Sequence, residues 1–228
     1  MESKIHAREA PEAEGEKRAR SETDAPAPVR PHLIYFEGRG RAEPTRLLFE
    51  ECGVEYTDER IPMEGWTEKK EQYPFGQLPI LRVGQFEIPQ STAILRYAAK
   101  RFGHSLFPGN DEAQARADAM TEAAEDFLNN IVYKSISEKS SAADKEKIVK
   151  EELPKWLNYF KNQLGEHQFF VENTFSYADL AVYTVLHEIE AFHAGSLAPV
   201  APLAQFKDRI AARPKIAAWL ARRPTSFW

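Results

Sequence analysis

One stretch constrains this chain more than any other: Pro74 to Ser91, which reads Pro-Phe-Gly-Gln-Leu-Pro-Ile-Leu-Arg-Val-Gly-Gln-Phe-Glu-Ile-Pro-Gln-Ser. Ile80 to Val83 and Gln85 to Ile88 are short β-rich runs split at Val83-Gly84, the pattern of a tight hairpin. Ser91 then precedes Ile94, Leu95, Tyr97, Ala98 and Phe102, whose spacing predicts an amphipathic helix capped by Ser91. Pro79 has no N–H, so it fits only an edge, a bulge or the first position of a strand. Leu78, just before it, then keeps its own N–H and C=O for an extended peptide. The free N–H groups and positive dipole end of a helix beginning near Ser91 suit a carboxylate, although serine is also an ordinary cap.

The chain has 228 residues, 43% of them hydrophobic, which is enough for one large or two modest cores. No apolar run approaches the roughly 18 residues of a membrane span, and no signal peptide or acid-poor transit peptide opens it. The expectation is a cytoplasmic protein that does not engage a membrane. A net charge of -5 spread over mixed-sign sequence argues against nucleic acid as a partner, because phosphate binding needs clustered cations. The single cysteine, Cys52, has no intramolecular partner and lies among Leu47, Leu48 and Phe49, a core setting. No metal-spaced His/Cys cluster appears, so no metal is expected; His187 and His193 stand alone.

Residues 1–31 carry seven acids and six bases with almost no large apolar side chain, and are read as a disordered extension. His32 to Phe36 reads as a strand, Ala42 to Cys52 as a helix closed by Gly53, Glu55 to Ile61 as a second strand and Trp66 to Gln72 as a short helix. With the hairpin and its helix, this makes β-α-β-α-β-β-α over 32–103. A linker over 104–111 contains Pro108 and Gly109, and 112–228 reads as all-helical. The candidates are 113–137, 142–164 interrupted near Pro154, a helix opened by a Ser176-to-Asp179 capping box, and two more near 203–212 and 214–222. The fold class is α/β plus all-α.

Tyr35 at the end of the first strand, Gly38-Arg39-Gly40-Arg41-Ala42-Glu43 after it, Gln77-Leu78-Pro79 and Gln90-Ser91 together resemble the cytosolic glutathione S-transferases over about residues 32–228. Tyr35-Phe36, Trp66 with Lys70, and Pro74-Phe75-Gly76 are most similar to the sigma class, which contains invertebrate detoxifying enzymes and glutathione-dependent prostaglandin D synthases. The resemblance implies a thioredoxin-like domain followed by a helical bundle, glutathione as co-substrate and a homodimer. It also implies a cis Leu78-Pro79 bond.

Position by position, it implies that Tyr35 and Arg41 activate the thiol. Leu78 and Pro79 would meet the cysteinyl part of glutathione, Gln90 and Ser91 the γ-glutamyl end, and Trp66, Lys70 and Gln77 the glycine carboxylate. Asp126 would reach across to the partner subunit, with Glu125 as the adjacent alternative. Phe36, Gly40, Arg41, Leu128 and Tyr133 would line the pocket of a small hydrophobic electrophile, covered by Phe227-Trp228.

The chemistry of the side chains agrees with this assignment. A thiol of pKa about 8.5 is only a few per cent thiolate at pH 7. Lowering it by two units takes about 2.7 kcal/mol. One hydrogen bond to a charged sulfur supplies roughly 1.5–3 kcal/mol, and a nearby arginine adds its field. Leu33 to Arg46 contains neither Ser nor Cys, which excludes the serine- and cysteine-using branches. Tyr133 and Gln77 stand where prostaglandin synthases of this class carry Trp and Lys. Three functions therefore follow, in order: conjugation of electrophiles, prostaglandin D isomerisation, and a crystallin-like structural or docking role with little activity.

Overall fold

The computed structural model describes residues 29–171 and 173–226. Most of the extension expected to be disordered lies outside them, as do Phe227 and Trp228. Within them, Arg30 donates to the Tyr56 carbonyl (2.9 Å), and Pro31 accepts the Thr57 N–H (2.8 Å), so ordered contacts begin ahead of His32.

A four-stranded sheet is built from β1 (His32–Phe36), β2 (Thr57–Ile61), β3 (Ile80–Val83) and β4 (Phe86–Pro89), in the order β2-β1-β3-β4. β1 and β2 run parallel, with Tyr35 opposite Arg60, and α1 (Glu43–Cys52) makes the crossover such a pair requires. β3 is antiparallel to β1, with Leu33 opposite Leu81, and to β4, with Ile80 opposite Pro89. Proline is tolerated there because β4 is the sheet edge. α2 (Trp66–Lys69) and two short 3₁₀ turns lead to β3, and α3 (Ser91–Phe102) packs against α1. This is the thioredoxin-like half.

α1 ends at Gly53, whose φ of +68° suits a residue without Cβ; its N–H returns to the carbonyls of Phe49 and Glu50. α3 begins one residue earlier than predicted. Gln90 is the cap residue and Ser91 the first helical one, because the chain leaves Pro89 through Gln90 at φ +75°, and the Gln90 carbonyl takes the Ile94 N–H at 2.8 Å. The Ser91 hydroxyl is thereby released from capping.

The helical half follows: α4 (Asp111–Phe127), α5 (Tyr133–Ile136), α6 (Ala142–Lys147), α7 (Leu153–Leu164), α8 (Tyr177–Phe192), α9 (Ala201–Ala211) and α10 (Pro214–Arg222). The helices predicted over 113–137 and 142–164 are each divided by a π-helical turn, Leu128–Val132 and Ile148–Glu152. The second has a local cause: Pro154 offers no N–H and its ring clashes with the carbonyl four residues back, and a wider turn relieves both. α8 is buried on nearly every face and forms the axis of the bundle. Its capping box is present: Asp179 accepts the Ser176 N–H (2.8 Å) and also the Phe170 N–H (2.9 Å).

The two halves are joined by buried charge. Arg46, fully buried, bonds Asp58 (3.0 Å) and the carbonyls of Gly38 (2.8 Å) and Arg39 (3.3 Å). Glu43, 1% exposed, accepts from Trp219 (2.9 Å) and Arg223 (2.7 Å). Burial alone would raise the Glu43 carboxyl, but Arg46 and Arg223 hold it below its ordinary value. Arg39 bonds both oxygens of Glu188 (2.6 and 3.0 Å) and the Ser226 carbonyl (2.9 Å). Breaking one member of such a set costs about 3–5 kcal/mol, because a charge is left buried without its partner.

His187 closes this network, receiving the Arg223 guanidinium at 2.8 Å. Burial, then Arg223 and Arg39, push its pKa down to about 4 from an ordinary 6.5. A depressed histidine contributes stability above pH 6.5 that is lost as the pH falls toward 4, and this gap corresponds to on the order of 3 kcal/mol. Asp179, raised to about 6 by burial, works in the opposite sense: its contribution is lost as the pH rises through 6. His187→Gln keeps an acceptor for Arg223 and removes the titration while leaving Asp179 in place. The fall in melting temperature between pH 7 and 4.5 should therefore be smaller in the variant than in the wild type; equal falls would exclude His187 as a source of acid sensitivity.

Candidate active site

β1 delivers Tyr35 to the carboxyl end of the parallel pair, where the chain turns into α1. Its ring is 3% exposed, packed edge-on against Phe36 (5.3 Å between centroids) and under the Arg46 guanidinium (5.8 Å). Its hydroxyl accepts the backbone N–H of Arg41 at 3.3 Å. Gly40, at φ +39°, is what allows the turn to close over it. A Cβ on Gly40 would lie 2.6 Å from the Tyr35 hydroxyl and 3.3 Å from that of Tyr133.

Arg41 is held by the other half of the molecule. Its Nε meets Glu125 at 2.8 Å, a terminal nitrogen donates to Asn129, and its guanidinium lies over the Tyr133 ring at 5.0 Å. Asn129 in turn donates to Glu125 at 3.0 Å. Burial works against the Arg41 charge, but Tyr133 and Glu125 keep its pKa above the ordinary value. The Tyr133 hydroxyl is hydrogen-bonded to Tyr35, and burial, together with Tyr35, pushes its pKa up.

Beside this cluster opens a cleft of about 310 Å³. Of the residues singled out in the sequence, it brings together Phe36, Arg41, Trp66, Gln77, Leu78, Pro79, Gln90 and Ser91. The Leu78–Pro79 bond is cis, and the ladder with β1 reaches only as far as Ile80, so the backbone of Leu78 lies outside it. Trp66 stands on edge against Phe36 (5.0 Å) and leans on Tyr73 (5.4 Å). Ser91 starts a 12-residue helix whose first N–H groups lack intrahelical partners and so form an anion-binding end.

Other predicted residues lie elsewhere. Gly40 and Leu128 border a separate small void of about 30 Å³ behind Arg41, room for about one water. Tyr133 sits on that inner side too, against Gly40. Lys70 is exposed at the cleft mouth, its backbone packed near Gly76, and has no ion-pair partner among the described residues. Asp126 is exposed, whereas its neighbour Glu125 lines the cleft. Trp228 is outside the described residues. Sequence reasoning missed Gly76 and Asn129, and named Glu125 only as the alternative to Asp126. The signal that was available is the i, i+4 spacing of Glu125 and Asn129 on α4 and its continuation.

The assembly can hold a bound anion. A hydroxyl whose oxygen already accepts an N–H still has a proton to donate, an arginine is fixed six residues further along the same turn, and a helix N-terminus and the strand-end backbone at Leu78 border the adjoining cleft. Among the described residues, no group of three or more His, Cys, Asp or Glu is arranged to hold a metal ion.

Comparison with known proteins gives two family matches. The profile described as "Glutathione S-transferase, N-terminal domain" matches residues 31–100, and that described as "Glutathione S-transferase, C-terminal domain" matches residues 121–223. "Glutathione S-transferase 3" of Caenorhabditis elegans is 33% identical over 201 residues, covering 84% of this chain and 96% of that protein. "Hematopoietic prostaglandin D synthase" of Gallus gallus is 34% identical over 193 residues, covering 84% and 96%. The solved structure "rat hPGDS complexed with a quinoline" superposes with a TM-score of 0.80 at 26% identity, over 87% of this chain and 100% of that one.

The contact between Gly40 and Tyr35 makes a direct prediction. Gly40→Ala adds a strained φ and a clash with the Tyr35 hydroxyl, so the urea midpoint should fall by an amount equivalent to about 1–3 kcal/mol with an unchanged slope. An unaltered midpoint would mean that the turn tolerates a side chain and that Gly40 does not set the position of Tyr35.

Proposed function

The chain belongs to the glutathione S-transferase family, and we propose that it conjugates glutathione to small hydrophobic electrophiles, using Tyr35 to hold the sulfur as thiolate. The observation that carries this reading is the Tyr35 hydroxyl itself, fixed by the Arg41 N–H and backed by the Arg41 charge beside a cleft of about 310 Å³. A neutral hydroxyl donating to sulfur favours the anion over the thiol, and a fixed guanidinium adds to this without any proton transfer from the protein.

In this reading, the cysteinyl backbone of glutathione pairs with Leu78 beside Pro79, as a strand added to the end of β3. The γ-glutamyl carboxylate meets Gln90, Ser91 and the α3 N-terminus. Trp66, Gln77 and Lys70 take the glycine end, Lys70 being free of any other acidic partner among the described residues. The electrophile enters beside Phe36 and Arg41, toward Gly40, Leu128 and Tyr133, with Trp228 as the assigned cover. Residues 32–103 would thus carry glutathione and share the electrophile pocket with 112–228, with 104–111 joining them. Among the described residues, no helix is long and apolar enough to cross a membrane, and the proposed compartment is the cytoplasm.

A second reading, glutathione-dependent isomerisation of a prostaglandin endoperoxide, is favoured by the likeness to the Gallus gallus synthase. It requires a long cleft, whereas Tyr133 packs against Gly40 and Tyr35 on the inner side of this one. A structural role like that of a crystallin leaves the convergence of Arg41, Leu78 and Ser91 on one cleft, with the Tyr35 hydroxyl bonded to the Arg41 N–H, without a purpose.

Tyr35→Phe should leave folding and glutathione affinity nearly unchanged while turnover of a chlorinated nitroaromatic at pH 6.5 falls roughly tenfold to a hundredfold, the effect of one charge-assisted hydrogen bond. Ultraviolet difference titration of bound glutathione should show the thiol pKa rising in the variant. The same thiol pKa in both proteins would remove Tyr35 from the mechanism, and faster turnover of endoperoxide than of any small electrophile by the wild type would favour the second reading.

A homodimer completes the proposal. Phe75 is 76% exposed at the tip of the turn after Pro74, an unusual exposure for a phenylalanine, and Asp126 is exposed on α4 where a partner can meet it. Sedimentation should give a dimer at assay concentration, and Asp126→Ala should weaken glutathione binding several-fold with little loss of melting temperature. An active monomer with full affinity for glutathione would overturn the shared site.

A further inference from the structure

Glu125, Asn129 and Tyr133 follow one another at steps of four along α4, the π turn and α5, and all three lie against the segment from Tyr35 to Arg41. The first two hold the Arg41 guanidinium. Tyr133 offers that guanidinium its ring face at 5.0 Å, and its hydroxyl reaches past it to the hydroxyl of Tyr35. Gly40 makes the room. A Cβ there would lie 2.6 Å from the Tyr35 oxygen and 3.3 Å from that of Tyr133, crowding the space that the two hydroxyls share.

Counting protons and lone pairs assigns a direction to this contact. A phenol oxygen carries one proton and two acceptor sites. On Tyr35, the Arg41 N–H fills one acceptor site at 3.3 Å. The proton is the group that a sulfur anion needs. The second acceptor site is what remains for Tyr133, which makes Tyr133 the donor of the pair. Its surroundings agree: burial first, then Tyr35, raise the Tyr133 pKa well above its ordinary value against the pull of Arg41, so this phenol keeps its proton. Tyr133 does not line the 310 Å³ cleft.

We propose that Tyr133 is a positioning residue for conjugation: its hydroxyl donates to the Tyr35 oxygen, fills the last acceptor site there and leaves the Tyr35 proton free to point only at the sulfur. This rests on the conjugation reading given above. A hydroxyl that accepts two hydrogen bonds is polarised by both and donates a stronger third. Tyr133 thus acts on the thiolate through Tyr35 without touching it. Lining the electrophile pocket is a task for the Tyr133 ring, whereas this one belongs to its oxygen.

Tyr133→Phe separates the two, since it keeps the ring under Arg41 and removes the oxygen alone. Ultraviolet difference titration of bound glutathione, with no electrophile present, should show a thiol pKa higher than in the wild type by about 0.3–0.6 unit, and turnover at pH 6.5 should fall about two- to fourfold. The two proteins should converge once the pH exceeds the thiol pKa of both, with glutathione affinity and melting temperature nearly unchanged. In a Tyr35→Phe background, adding Tyr133→Phe should move the thiol pKa no further. The same rise in both backgrounds would mean that Tyr133 acts on the sulfur itself, and would overturn the proposal. A thiol pKa raised by Tyr35→Phe but unmoved by Tyr133→Phe would overturn it too and leave the conjugation reading standing; a thiol pKa unmoved by Tyr35→Phe would remove both.

Discussion

Where the guanidinium of Arg46 is held decides where the site lies. It sits on α1 with no exposed surface, and it spends its donors on Asp58 in β2 and on the carbonyls of Gly38 and Arg39. Those two carbonyls belong to the loop that carries Gly40 and Arg41, so an arginine in the core fixes a loop that has few apolar side chains of its own to anchor it. Glu43, one turn earlier on the same helix, extends the bonding to Trp219 and Arg223 at the far end of the chain. Arg39 extends it again to Glu188 on the central helix. A network of this kind specifies one geometry in a way that greasy contacts do not, even though one terminal nitrogen of Arg46 has no hydrogen-bond partner among the described residues.

The consequence for chemistry is a site divided between two layers. The hydroxyl comes from a strand of the sheet and is positioned by backbone, whereas the cation beside it is aimed by Glu125, Asn129 and the ring of Tyr133 from the helical half. Glu125 offsets part of the Arg41 charge, and in return it keeps the guanidinium at one place, which is what the proposed stabilisation of a thiolate needs more than raw charge.

Much of this was legible in the residues. Periodicity and turn chemistry located all four strands within two residues, and the Leu78-Pro79 and Gln90-Ser91 pairs pointed to the two banks of one cleft. What periodicity could not resolve was rotation. Asp126 and Glu125 differ by about 100° around a helix, so an apolar pattern that is right to within one residue cannot say which acid faces Arg41. The capping role predicted for Ser91 belongs to Gln90, because a backbone at φ +75° after a proline leaves no trace in composition. The turn that carries Asn129 was not legible either: its hydrogen-bond step is not that of an α-helix, and in a run from 113 to 137 that reads as one helix only the i, i+4 spacing from Glu125 hinted at the residue itself.

That turn has a bearing on how such chains diverge. A π turn accommodates one residue more than an α-helix does over the same rise, so its presence or loss amounts to a one-residue insertion or deletion hidden inside an unbroken helix. Every side chain beyond it is displaced by about 100° relative to a lineage without it. Tyr133, Lys134 and the segment that follows therefore owe their facing to the register set at Leu128–Val132, not to their own identity. Two relatives can carry the same residues in the same order after this point and present them to different neighbours, which makes the helix register a source of new pockets that leaves the thioredoxin-like half untouched.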